Sequence, residues 1–200
     1  MSPARWLLAA LAALLLAGCA TAPPVTPAPG WPSEAAARRA ATMGDIRTWT
    51  IRGRLGVHTG REGFSAAIVW RQDGDRFDIR LFDQLGRQVA WLRGDGGQVS
   101  LTNHRGKTFR AQSAEQLMRA QLGWALPIRS LLYWVKGLPD PKLPAWREEY
   151  DDGGRLVRLE QGGWSVRIPR YLSPDERAFP ALIKLRRKDF SAKLLIKHWE

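Results

Sequence analysis

The sequence contains a single cysteine, Cys19, and only three histidines among its 200 residues. An intramolecular disulfide is therefore excluded, and His58, His104 and His198 stand too far apart to match the ligand spacing of a zinc site. The segment "GFSAA" around Ser65 lacks the second glycine of a nucleophile elbow. These absences predict a protein that is not an enzyme and that holds no metal and no cofactor.

The N-terminal apolar run is too short to cross a bilayer as a helix. It covers residues 6–17, follows Arg5, and has the length of the core of a signal peptide. The stretch "LAGC", residues 16–19, resembles the lipobox of bacterial lipoproteins, in which the cysteine becomes the acylated first residue. The alternative is an ordinary secretory signal, cut near Ala17 or Gly18, that leaves Cys19 as a free thiol.

The lipobox interpretation is favoured because a lone thiol in an oxidising compartment is a chemical liability. It predicts a signal peptide over residues 1–18 and lipidation of Cys19, with two or more acyl chains that hold the protein permanently on its membrane. Ala20, rather than aspartate, follows the cysteine. By resemblance to the bacterial sorting rule, this favours the outer membrane, with the protein facing the periplasm.

Composition divides the rest of the chain into a tether and a domain. Residues 19–32 are rich in proline and small residues, which predicts an extended tether. Residues 33–200 are long enough for a single domain with a sizeable core. That domain opens on "SEAAARRAATM", a predicted helix with Ser33 as its N-cap and Gly44 as its stop.

From Trp49 onwards, apolar residues recur at every second position. In "WTIRGRLGV" the apolar residues fall on one face, and "RFDIRLF" repeats the alternation. Further short strands are predicted up to residue 111 and again after residue 144, which together form an antiparallel meander. Between them, "SAEQLMRAQLGW" and "PIRSLLYWVKGLP" show helical spacing. Ser113 and Gln116 have the spacing of a capping box, and Pro127 suits the start of a helix.

Four segments, "GWALPIRSLLYWVKGLP", "WTIRGRLGV", "GWSVRIPRY" and "LLIKHW", resemble the LolB family of outer-membrane lipoprotein receptors. The resemblance implies an α+β, mainly β fold: an incomplete antiparallel β-barrel with helices covering an apolar cavity. It also implies a receptor that accepts lipoproteins from the periplasmic carrier LolA and inserts them into the outer membrane. The expected partners are therefore LolA, the acyl chains of cargo lipoproteins and outer-membrane lipid, and we expect a monomer.

An apolar cavity suits this function because acyl chains lose about 0.8 kcal/mol per methylene when they leave an apolar environment for water. Alternation along the strands and helical spacing predict the cavity lining: Leu55, Ile79, Leu81, Ala90, Leu92, Leu131, Leu132 and Val135. The alternative is that these residues fill a packed core.

Leu85 stands at the expected tip of a turn in "LFDQLGRQVAW". Turn chemistry gives no reason for a leucine at that position. The segment "QLG" matches the projecting loop of the LolB family, which implies that Leu85 serves membrane targeting of cargo. Gln84 stands where the family commonly has proline. The alternative is a leucine that folds back onto the sheet, as isolated surface leucines often do.

The chain is strongly basic, with a formal net charge of +12. Export argues against nucleic acid as the partner, so the basic surface is expected either to attract anionic lipid or an acidic carrier, or to be an ordinary solvated face. Two other functions stay open at this point. One is a structural lipoprotein with a filled interior; the other is an accessory lipoprotein of glycolipid or polysaccharide export with a polar groove.

Overall fold

The computed structural model describes residues 33–60, 62–173 and 178–200. The predicted signal peptide (1–18), the lipidation site Cys19 and the predicted tether (19–32) lie outside the described residues. Within the described ranges, no helix is both long enough and apolar enough to span a bilayer.

The predicted order of helices and strands is confirmed. The helices are α1 (Glu34–Gly44), α2 (Ala114–Leu122) and α3 (Ile128–Trp134). The strands before α2 are β1 (Thr48–Thr59), β2 (Glu62–Asp73), β3 (Arg76–Phe82), β4 (Gln88–Gly94), β5 (Val99–Asn103) and β6 (Thr108–Ala111). The strands after α3 are β7 (Ala145–Tyr150), β8 (Leu156–Gln161), β9 (Trp164–Tyr171), β10 (Pro180–Arg187) and β11 (Phe190–Trp199).

All eleven strands form one antiparallel sheet in the order β6-β5-β4-β3-β2-β1-β11-β10-β9-β8-β7. The last strand of the chain pairs with the first, so the two halves of the sequence meet at β1 and β11. The sheet does not close, because β6 and β7 are its two edges and the chain between them forms α2 and α3. The expected fold class, an incomplete antiparallel barrel with helices, is confirmed.

Alternation decides which side chains face the interior. In β1, Trp49, Ile51, Leu55 and Val57 are buried while the arginines between them are exposed. Gly53 lies on the same face as these buried residues, at the point where the pairing of β1 with β11 shifts register. A Cβ at this position would overlap the backbone around Leu195, so only glycine allows the two strands to approach here.

The two longer helices begin as predicted. The hydroxyl of Ser33 accepts a hydrogen bond of 3.2 Å from the N–H of Ala36, and the hydroxyl of Ser113 accepts one of 3.3 Å from the N–H of Gln116. Gly123 ends α2 with a φ of 78°, a left-handed conformation that favours glycine. These local signals explain why the helix boundaries could be read from the sequence.

Alternate turns of the meander lie at opposite ends of the sheet. One end, called the Leu85 end, carries the β3–β4 turn with Leu85 and the turns β1–β2, β5–β6, β8–β9 and β10–β11. The other end is called the α1 end, because the start of α1 packs on the β7–β8 turn there. A Cβ on Gly154 in that turn would overlap the backbone of Ala35 and Ala36.

Helix α1 is fixed to the rest of the molecule by buried polar contacts. The guanidinium of Arg39 donates to the carbonyls of Lys136 and Ala178, at 3.2 and 2.6 Å. The ammonium of Lys136 donates in turn to the carbonyl of Ile46 at 3.1 Å, and burial lowers the pKa of this lysine. Side-chain hydrogen bonds therefore hold α1 and the segment after it against the end of α3.

Candidate functional site

An apolar cavity lies between the concave face of the sheet and the helical cover, which we define as residues 114–134. Its strand residues are Leu55, Ile68, Trp70, Ile79, Leu81, Ala90, Leu92, Leu101, Leu185 and Leu194. Its cover residues are Met118, Leu122, Leu126, Ile128 and Leu131. Every one of these side chains is apolar, apart from the Trp70 indole N–H, which donates to Gln72 at 2.9 Å. Such a lining favours a ligand that is itself apolar.

Strand register brings the lining residues together in rows. Trp70 pairs with Ile79, Ile79 pairs with Leu92, and Leu92 pairs with Leu101, so one apolar row crosses four strands. A neighbouring row consists of Ile68, Leu81 and Ala90. Because side chains two residues apart point to the same face of a strand, both rows face the cover.

The cavity has a volume of about 30 Å³, measured as the space open to the centre of a water-sized sphere. One water molecule needs roughly 10–15 Å³ by that measure, so this space holds about two. Its apolar lining offers water no hydrogen-bond partner, which favours a dry cavity. An acyl chain is larger than this space.

The end of the cover is held to the sheet by one buried amide. The side-chain oxygen of Gln161, on β8, accepts hydrogen bonds from the indole N–H of Trp134 at 3.0 Å and from the N–H of Asp140 at 2.9 Å. Its side-chain NH₂ donates to the carbonyls of Asp140 and Leu143, both at 3.0 Å. Gln161 is 1% exposed, so this network fixes the C-terminal end of α3 firmly to β8.

The two cover helices are joined to each other through Glu115. Its carboxylate accepts a hydrogen bond from the N–H of Ile128 at 2.9 Å and another from the hydroxyl of Ser113 at 2.9 Å. Among the hydrogen bonds of the described residues, none joins α2 to a strand. The cover therefore has a fixed end at β8 and an end beside β5 and β6 where side-chain contacts are apolar.

Leu85 lies in the β3–β4 turn and is 78% exposed. The carboxylate of Asp83 accepts hydrogen bonds from the N–H groups of Leu85 and Arg87, both at 2.9 Å, and pairs with the Arg87 guanidinium at 2.8 Å. The N–H of Arg87 and its neighbouring donors hold the pKa of Asp83 below its ordinary value. The structure places Leu85 in solvent rather than folded back onto the sheet.

The same turn occurs three times in the chain, as "DQLGR" (83–87), "NHRGK" (103–107) and "DDGGR" (151–155). In each, the first side chain accepts from the third and fifth N–H groups, and a glycine with positive φ stands fourth. The third residue is Leu85, Arg105 or Gly153. Since the first and fourth residues set the turn geometry, the turn itself does not require a leucine.

A model of the family described as outer membrane lipoprotein LolB matches residues 47–199. The chain belongs to the LolB family. As a LolB-family member it is an outer-membrane lipoprotein, which confirms the expected location.

The LolB-family relatives are similar over nearly their whole length. The outer-membrane lipoprotein LolB of Stutzerimonas stutzeri is 40% identical over 202 residues, an alignment that covers 100% of this chain and 97% of that protein. That of Nitrosococcus oceani is 35% identical, covering 94% of this chain and 92% of that protein. That of Pseudomonas aeruginosa is 36% identical, covering 98% of this chain and 96% of that protein.

Solved structures with a similar fold support the half-barrel architecture. The LolA superfamily protein NE2245 from Nitrosomonas europaea has a TM-score of 0.52 at 8% identity, covering 82% of this chain and 92% of that chain. A DUF1329 family protein from Desulfovibrio piger has a TM-score of 0.50 at 8% identity, covering 84% of this chain and 92% of that chain. At such identity the likeness concerns the fold alone.

Six of the eight residues predicted from alternation and helical spacing are brought together at the cavity, and the structure places Leu132 and Val135 elsewhere. The residues placed at the cavity are Leu55, Ile79, Leu81, Ala90, Leu92 and Leu131. Leu132 does not line it, because each helical residue is rotated by about 100° and Leu131 takes the inward position on α3. Val135 follows the last residue of α3 and is fully buried in the packed core.

Sequence reasoning missed nine lining residues. On the strands these are Ile68, Trp70, Leu101, Leu185 and Leu194, and on the cover Met118, Leu122, Leu126 and Ile128. The strand residues share the alternation of the residues that were predicted, so the pairing of neighbouring strands would have identified them. Among the described residues, no group of three or more His, Cys, Asp or Glu side chains is placed to hold a metal ion.

Proposed function

We propose that this protein is the receptor that accepts lipoproteins from the periplasmic carrier LolA and inserts them into the outer membrane. The observation that carries the proposal is the wholly apolar cavity between the sheet and the helical cover. Acyl chains represent about 0.8 kcal/mol of apolar burial per methylene, so they do not cross an aqueous space uncovered. A receptor must therefore offer them an apolar surface at least as extensive as the one they leave.

Cargo enters, in this proposal, when the helical cover moves away from β5 and β6. The opposite end of the cover is fixed by Gln161, and α2 and α3 are tied together by Glu115. The two helices therefore move together, with the end of α3 as the pivot. The six predicted residues that lie at the cavity, among them Ile79 and Leu131, then contact the acyl chains.

Release into the membrane depends on where the receptor is held. Acylation of Cys19 anchors the chain on the outer membrane, and Leu85 contacts the lipid at the tip of its turn. An exposed leucine on a turn that its neighbours already hold rigid loses little conformational freedom on contact with lipid. The protein acts as a monomer in this scheme.

The alternative functions are less well supported by the site. A structural lipoprotein needs no cavity, and an accessory protein of polysaccharide export needs polar groups to bind sugars. The lining of this cavity offers no such groups. LolB-family membership also supports the lipoprotein receptor.

Transfer of cargo tests the proposed function directly. Purified LolA loaded with a lipoprotein is mixed with this protein, and the location of the lipoprotein is followed by co-purification. We expect the lipoprotein to leave LolA and bind this protein, and to enter liposomes when these are added. Cargo that stays on LolA in the presence of excess receptor overturns the proposal.

A further inference from the structure

The turns at the two ends of the sheet differ in charge. At the Leu85 end, the described turns carry the basic residues Arg87, Arg105, Lys107, Arg187 and Lys188 against the acidic residues Glu62, Asp83 and Asp189. At the α1 end, the turns and the start of β1 carry the acidic residues Asp45, Asp73, Asp75, Asp95, Asp151 and Asp152 against Arg47, Arg76 and Arg155. The excess positive charge among the turns therefore lies at the Leu85 end.

Three exposed basic residues at the Leu85 end are available to an external anion. Arg105 and Lys107 belong to the β5–β6 turn, which has the same geometry as the Leu85 turn and lies beside it in the strand order. Both side chains are exposed, as is Lys188 in the β10–β11 turn. None of the ion pairs formed by the described residues involves these three cations.

The Leu85 end also carries the most exposed tryptophan that the structure describes. Trp146 lies on the edge strand β7, next to the residue that pairs with Gln161 at the β8–β9 turn, and is 88% exposed. Leu143, 37% exposed, packs beside the same turn at Gly162. Large aromatic residues are normally buried, whereas an exposed tryptophan suits the interface between water and lipid.

We infer that the Leu85 end docks on a bilayer of anionic phospholipid through two apolar contacts, Leu85 and Trp146, and through the cations Arg105, Lys107 and Lys188. Leu85 and Trp146 lie on opposite halves of the open sheet, so two separate contacts fix the tilt of the domain on the membrane. The cations attract the negative headgroups. This inference rests on the proposed function, in which Leu85 faces lipid.

Vesicle binding tests the inference without the lipid anchor. The Cys19→Ala protein without residues 1–18 is sedimented with vesicles of phosphatidylglycerol and phosphatidylethanolamine, and in parallel with vesicles of phosphatidylcholine. We expect tighter binding to the anionic vesicles and a loss of that preference at high salt. Equal binding to the two kinds of vesicle at low salt overturns the electrostatic part of the inference.

Charge variants locate the basic contact. The triple change Arg105→Gln, Lys107→Gln and Lys188→Asn removes the three cations, and asparagine tolerates the positive φ of 50° at residue 188. We expect its dissociation constant for anionic vesicles to rise by about tenfold or more. The control carries Arg71→Gln, Arg110→Gln and Arg170→Gln, which removes the same charge nearer the α1 end and leaves binding within about twofold. Equal losses in both variants overturn the assignment to the Leu85 end.

Two substitutions of exposed apolar residues test the role of Trp146 in the same assay. Trp146→Ser lowers binding to both kinds of vesicle, whereas Leu172→Ser, which removes a 45% exposed leucine at the α1 end, does not. Unchanged binding by Trp146→Ser overturns its role.

Cargo acceptance from LolA in solution is measured separately. If neither the wild-type protein nor any variant accepts cargo, the proposed function fails while the vesicle result stands. Variants that lose LolA binding but keep vesicle binding would show that the substituted residues bind the carrier instead of lipid, which overturns the inference.

Discussion

The carboxylate of Asp83 accepts a hydrogen bond of 2.9 Å from the backbone N–H of Leu85. The same oxygen accepts a second bond from the N–H of Arg87, so one side chain fixes the backbone on both sides of the exposed leucine. Proline is therefore not needed at position 84 to hold this turn. The leucine side chain remains free of neighbours while the backbone beneath it is ordered.

Leu85→Glu should block delivery and leave folding and acceptance of cargo intact. The side chain is 78% exposed, so the change disturbs little packing, but a carboxylate opposes insertion into lipid. Liposome incorporation of a lipoprotein transferred from LolA is the measurement, and we expect a loss of more than about tenfold. Leu85→Met, which keeps an apolar tip, serves as the control. Normal incorporation by Leu85→Glu would show that the leucine has no role in delivery.

Asp83→Ala should lower delivery even though Leu85 is still present. The substitution removes the acceptor of both turn hydrogen bonds, so the leucine is no longer held in one position. Asp83→Asn should retain delivery, since Asn103 supplies the same two bonds in the neighbouring turn. The liposome assay compares the two variants. Equal activity of alanine and asparagine at this position would contradict a role for turn order.

The order of the Leu85 turn should not change between pH 8 and pH 5. Hydrogen bonds, first from the N–H of Arg87, hold the pKa of Asp83 below its ordinary value of 3.8. A lowered pKa means that the carboxylate stabilises the turn above pH 3.8 and that this contribution disappears as the pH falls through the folded-state pKa. The amide chemical shift of Leu85, followed by NMR, checks this. A transition centred above pH 5 would contradict the assignment.

Ala90→Leu should weaken the binding of an apolar fluorescent probe by filling the cavity. Ala90 is 3% exposed and is the smallest of the lining residues, so a larger side chain enters the small space between the sheet and the cover. Overpacking of this kind costs roughly 1–3 kcal/mol, and thermal unfolding monitored by circular dichroism verifies the fold. Ala67→Leu, half-exposed on the outer face of β2, is the matched control. Identical affinities in the two variants would argue against probe binding between the sheet and the cover.

Cys19→Ala should yield a protein that folds but no longer stays on the membrane. The described fold begins at residue 33, so the substitution lies outside every packed contact described here. Fractionation of cells that still cleave the signal peptide is the measurement, with the wild-type protein as the reference. Firm membrane association of the variant would contradict lipidation at Cys19.

Much of the fold could be predicted from the sequence because its signals are local. Alternation in β1, the N-cap at Ser33 and the glycine that ends α2 each depend on a few consecutive residues. The three repeats of an Asp or Asn followed three residues later by glycine were equally readable. They would have predicted that the Leu85 turn is ordered.

The sequence does not determine which residues of α3 and β7 face the interior. Leu131 and Leu132 are both apolar neighbours on one helix, and only the docking of α3 on the sheet decides which of them reaches the cavity. Trp146 is similarly ambiguous, because a tryptophan at the start of a strand is normally predicted to be buried in the core. It lies on the edge strand β7 where the pairing with β8 shifts register between Ala145 and Arg147, and it is exposed.

Helix α1 begins at the end of the sheet farthest from Leu85. In the proposed function, the anchor at Cys19 and Leu85 therefore reach the same membrane only if residues 19–32 run the height of the domain. A polyproline II stretch of that length, at about 3.1 Å per residue, covers about 43 Å. The height of the domain follows from β1, whose 12 residues span about 40 Å at 3.3 Å per residue. The predicted tether is therefore only slightly longer than the domain is high. Deleting half of it would lift Leu85 out of reach of lipid, although every residue of the receptor's fold would be unchanged.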